Sequence, residues 1–149
     1  MQRFGMVLST LMLLLGRTAG AEAPGKDLLD LARAYLEARE ATLQETARPA
    51  DVEKVLSTCS AALVYEHPRV GIRMAGLDAV RSGMLQFLGT SRQARIEVLA
   101  SLQGTGMVAV ESRVSFEAKD GEAWRPVDRK QVWVFEFDGS EIKRIIEYW

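Results

Sequence analysis

The chain has 149 residues, 48% of them hydrophobic, with 19 basic and 20 acidic side chains for a formal net charge of −1. The basic residues are scattered, so the balance gives no support to nucleic acid as a partner. One cysteine, Cys59, rules out an intrachain disulfide, and no Gly-rich phosphate loop points to a nucleotide cofactor.

Residues 1–23 read separately from the rest. Arg3 precedes an apolar run from Phe4 to Leu15, and the small residues Ala19, Gly20, Ala21 and Ala23 follow. That is the layout of a cleavable secretory signal, and the run is short for a permanent membrane span of about 20 residues. The expectation is an exported protein, periplasmic or secreted, with no stable membrane insertion after cleavage. Residues 24–149 are then one domain.

From Asp27 to Gln44 the spacing predicts a helix, with Leu28, Leu31, Tyr35, Ala38 and Thr42 on one stripe. Pro49 interrupts, and Asp51 is expected to N-cap a second helix over 52–60. Cys59 falls on the apolar face of that helix with Val52, Val55 and Leu56, as a buried structural thiol. A strand over 62–67 stops at Pro68, a loop carries Arg69, Gly71 and Arg73, and a third helix spans 78–88. The period then changes to two. Strands are expected at 94–102, 107–118, 126–137 and 141–149, joined by GTG, KDGEA and DGS turns. Three helices followed by an antiparallel meander predict an α+β domain. On the strand over 126–137, Gln131, Trp133, Phe135 and Phe137 share one face, while Val132 and Val134 lie on the other. Both faces are partly apolar, which predicts a sheet that curls over helices and buries its back in a homodimer.

His67 is the only histidine. Alternation sends Tyr65 and His67 to the same side, and Pro68 restrains the backbone just after the ring. An imidazole changes charge near neutral pH, which suits a general base. The bland reading is a structural ring satisfied by the scaffold. Tyr65, Met84, Phe87, Trp133 and Phe135 could line an apolar pocket, with Gln131 and Arg129 offering donors at its mouth; core packing predicts much the same set. One histidine and one cysteine in different elements do not make a metal site.

Three stretches carry a resemblance: LARAYLEAR, LVYEHPRVGIRMAGLDAVRSGM and VWVFEFDGSEIKRIIEYW. In order and composition, residues 28–149 resemble the NTF2-like superfamily, which includes ketosteroid isomerase and the SnoaL-like polyketide cyclases. The resemblance implies a cone: three N-terminal helices packed against a strongly curved, mixed, mostly antiparallel sheet, opening on a pocket for a small apolar molecule. Ketosteroid isomerase is a known case of pKa tuning, with a carboxylate base and an oxyanion site of a tyrosine and a neutral aspartic acid. Carried onto this chain, the proline-adjacent base position holds His67, the helix tyrosine matches Tyr35, and the late-strand acid falls on Trp133.

Two functions follow as expectations. One is a SnoaL-like isomerase, cyclase or related proton-transfer enzyme acting on a small apolar carbonyl compound, with His67 and Tyr35 catalytic and no cofactor or metal. The other is a non-catalytic domain that binds a small apolar ligand or serves as a structural, dimerising module.

Overall fold

The computed structural model describes residues 27–149, so the leader assigned to residues 1–23 lies outside the described residues. Helix α1 spans Leu28–Thr42 and opens on Asp27, whose carboxylate accepts from the Leu29 amide at 3.1 Å. Its inward stripe of Ala32, Tyr35, Leu36 and Ala38 is buried. Helix α2 spans Pro49–Leu56. Here the expected cap is corrected. Proline takes the first helical position, where its missing N–H costs nothing. Asp51 therefore sits two residues inside the helix, its carboxylate accepting from the Arg48 amide at 2.8 Å.

The expected helical position of Cys59 is also corrected. Ser57 and Thr58 turn their hydroxyls back onto the carbonyls of Lys54 and Val55, at 2.7 and 2.9 Å, and close α2 early. Cys59 then begins strand β1, Cys59–His67, still buried. A short 3-10 turn, Pro68–Val70, ends at Gly71 with φ of 69°, a backbone value that glycine adopts without strain. The chain thereby reverses into strand β2, Ile72–Ala75, which pairs antiparallel with β1 where a loop was expected.

Helix α3 is Leu77–Gln86, and the meander is β3 Ser91–Gly104, β4 Met107–Asp120, β5 Ala123–Asp138 and β6 Glu141–Tyr148. The six strands form one mixed sheet in the order β2-β1-β6-β5-β4-β3, with β1 and β6 parallel and the other pairs antiparallel. Strand β5 starts before Pro126. Its first half pairs only with β4, because β6 begins its pairing at Val132. An edge segment tolerates a missing donor.

Helix α1 lies against β3 and β4, and α3 against β1 and β2. The expected parity of β5 holds: Gln131, Trp133, Phe135 and Phe137 face inward, buried, and Val132 faces out at 39% exposure. The outer face carries ion pairs, with Arg144 joining Glu66 to Glu136 and Arg73 adding to Glu66. Among the described residues no helix is long and apolar enough to cross a membrane.

Candidate functional site

The concave face of the sheet, α3 and the end of α1 enclose a cavity of about 730 Å³. Its apolar wall includes Met74, Met84, Phe87, Val114, Phe116 and Trp133. The polar side is built from Tyr65 and His67 of β1, Arg129 and Gln131 of β5, Glu147 of β6 and Arg39 of α1.

Glu147 organises that side. The register Tyr65↔Ile145 and Glu66↔Ile146 between parallel strands, continued by one residue, sets His67 beside Glu147 on the inner face. The Glu147 carboxylate is 6% exposed. It accepts hydrogen bonds from the Tyr65 hydroxyl, from Gln131 Nε2 at 2.8 Å and from Trp149 Nε1 at 3.1 Å. Three neutral donors thus satisfy a buried carboxylate that has no ion-pair partner among the described residues. Burial first, then the neighbouring Glu147 charge, push the Tyr65 phenol well above its ordinary range, so it remains a donor.

His67 is 5% exposed and its ring meets Trp149 edge-on, with centroids 4.4 Å apart. Both ring nitrogens are buried and, among the described residues, neither has a hydrogen-bond partner. The structural histidine satisfied by the scaffold is not what the fold contains. Arg129 stacks on the same indole, its guanidinium 3.7 Å from the centre of the Trp149 ring.

Of the residues expected at the site, His67, Tyr65, Met84, Phe87, Gln131 and Trp133 lie on this one wall. Tyr35 and Phe135 are not part of that wall. The α1 stripe that carries Tyr35 packs into the core, where the ring is fully buried and edge-on to Phe135 and Trp133. Its hydroxyl has no partner among the described residues. One and two helical turns further on, Arg39 and Leu43 reach the cavity. The Trp133 indole N–H is not free for a ligand either, since it donates to Ser112 Oγ at 3.0 Å.

Sequence reasoning missed Glu147, Trp149 and Arg39. A signal for the first was present: Glu147 follows Ile145 at strand parity, which places a carboxylate on the apolar face.

The family model of the SnoaL-like domain matches residues 32–145. The chain belongs to that family. Its fold is shared with a protein of Pseudomonas putida proposed to be a polyketide cyclase, at 18% identity over 84% of this chain and 92% of that one, with a TM-score of 0.69. A Shewanella denitrificans protein proposed to be a SnoaL-like polyketide cyclase gives 9% identity, 81% and 88% coverage and the same TM-score of 0.69. A protein with a ketosteroid isomerase-like fold from Catenulispora acidiphila, solved in complex with trimethylamine, gives 13% identity, 80% and 85% coverage and a TM-score of 0.66. No curated protein sequence matches the chain. The NTF2-like cone expected from the sequence is therefore the fold of this SnoaL-like domain.

Proposed function

We propose that this SnoaL-like domain binds a small, largely apolar carbonyl compound in its cone and moves a proton on it, as an isomerase or cyclase does, with His67 as the proton acceptor. One observation carries the reading: His67 stands on the wall of a cavity of ligand size with both nitrogens unpartnered among the described residues. A buried polar ring without partners is rare in a merely structural position. The negative charge that forms on the substrate would meet the positive field of Arg129 and Arg39 in an enclosed site.

Proton exchange is a test that needs no knowledge of the physiological substrate. A panel of small apolar ketones is incubated in deuterated buffer and exchange beside the carbonyl is followed by NMR. Wild-type protein is expected to accelerate exchange for at least one ketone, and H67A to fall to background with its melting temperature nearly unchanged. Equal exchange by both proteins overturns the assignment of His67.

A second reading, ligand binding without chemistry, has its own support. Tyr65, Trp133 and Trp149, the neutral aromatic donors on the wall, are all engaged inside the protein. It predicts tight binding of apolar ligands with no exchange by wild type.

We also propose export and a homodimer through the outer face of the sheet. Val132 and Tyr148, paired across β5 and β6, expose 39% and 46% of their surface there. Sedimentation of wild type against V132D tests the dimer, and N-terminal sequencing of protein recovered outside the cytoplasm tests the leader.

A further inference from the structure

The charged groups on the cavity wall do not balance. Arg39, Arg129 and, near the rim, Lys119 face one carboxylate, Glu147. That carboxylate already accepts from Tyr65, Gln131 and Trp149. Most arginines elsewhere on the domain are paired, with Arg73, Arg92, Arg113 and Arg144 each having a carboxylate within ion-pair distance, and Arg48, Arg69 and Arg95, which lack one, are exposed to water. Among the described residues Arg39 and Arg129 have none, and the Nε atom of each is buried without a hydrogen-bond partner. Arg39 Nη1 donates only to the Thr42 hydroxyl, at 2.6 Å. Burial draws the Arg129 guanidinium below its ordinary range, and the nearby Glu147 charge offsets only part of that effect. Holding unpaired cations in such a place is unfavourable in the empty protein.

We infer that the cavity takes an apolar molecule bearing a single carboxylate, seated on the guanidiniums of Arg129 and Arg39. A guanidinium presents a planar fork of donors that matches a carboxylate. Stacking on Trp149 fixes the plane of the Arg129 fork. The rest of the wall, with Met74, Met84, Phe87 and Phe116, suits an aryl or branched alkyl body. The volume of about 730 Å³ lies inside the range of about 300–1,000 Å³ usual for small-molecule sites. A cationic ligand is disfavoured, because the cations Arg39, Arg129 and Lys119 on the wall outnumber its one carboxylate, Glu147. The inference rests on the cavity being a ligand site, the part of the proposed function that precedes any chemistry.

The test compares naphthoate with naphthamide, matched in shape and different in charge, by titration calorimetry at pH 7 on the full domain. Wild type is expected to favour the carboxylate by about tenfold or more. R129Q and R39Q are expected to shrink that preference to about threefold or less, and R129K to retain it only in part, because an ammonium keeps the charge but neither the planar fork nor its stack on Trp149, with unchanged circular dichroism as the control for folding. Equal or tighter binding of the amide by wild type overturns the anionic class while leaving the ligand site standing. Preference for the acid that survives in both R129Q and R39Q overturns the assigned seat. Failure of wild type to bind either compound removes the ligand site itself, and the inference with it.

Discussion

The Tyr65 hydroxyl donates to the Glu147 carboxylate across the parallel strands β1 and β6, and both side chains are buried on the cavity wall. The bond ties the two strands whose edges hold His67 and Trp149. E147A leaves two buried donors and the half-buried Trp149 indole without an acceptor and is expected to cost about 3 kcal/mol or more in urea unfolding. Y65F removes one donor from a carboxylate that keeps two others, and should cost about 2 kcal/mol. E147Q retains an acceptor oxygen and should fall below E147A. A neutral result for E147A shows that water reaches the group in solution and that Glu147 does not organise the wall.

Much of the fold could be read from local pattern. The stripe through Ala32, Tyr35 and Leu36, the parity of Gln131-Trp133-Phe135-Phe137 and the turn sequences each act over a few residues, and the structure keeps them. Errors arose where a competing local interaction or a distant partner decides. Cys59 has helical spacing, but hydroxyl groups at 57 and 58 close the helix before it. Strand β2 has only four residues and exists because β1 offers it an edge. The site was legible in the same uneven way. His67 stood out as a lone titratable ring at a strand end. Tyr35 was placed by analogy with a family role, yet which turn of α1 meets the cavity depends on how the helix rolls against β3 and β4. Arg39 is the α1 side chain that lines the cavity.

Cys59 should behave as an inert thiol. Burial, outweighing the Thr58 hydrogen bond, pushes it up to about 11. At pH 8 only roughly one thiol in a thousand would be ionised in the native state. Alkylation by iodoacetamide should therefore be far slower than for a free thiol, and should become fast on adding denaturant. Rapid labelling of the folded protein contradicts the buried placement.

The outer face gives the domain an acid-sensitive element. Glu66 accepts from Arg144 Nη2 at 2.7 Å and from Arg73 Nε at 3.0 Å, and these bonds, Arg144 first, hold its carboxyl below the usual carboxylate range. A carboxylate with a depressed pKa in the folded state adds stability above its ordinary range. That stability is lost as pH falls through the folded value. E66Q should thus lower the melting temperature at pH 7, and the gap to wild type should narrow below about pH 4. A gap that is constant across pH means that packing, not charge, accounts for the effect.

Tyr35 separates the inherited role from the observed one. Its phenol is fully buried, off the cavity wall, and has no partner among the described residues, while burial holds it protonated far above its ordinary range. A buried hydroxyl without a partner carries its desolvation cost uncompensated. Removing it while keeping the ring should then be neutral or stabilising by about 1 kcal/mol. Y35A, by contrast, empties the contact with Phe135 and Trp133 and should cost about 3–5 kcal/mol. Ketone exchange by Y35F is expected to match wild type, unlike H67A. Full loss of exchange in a well-folded Y35F protein puts the hydroxyl in reach of substrate. The cavity would then open deeper toward α1 than its present wall, and the proton acceptor would share its work with the helix tyrosine after all.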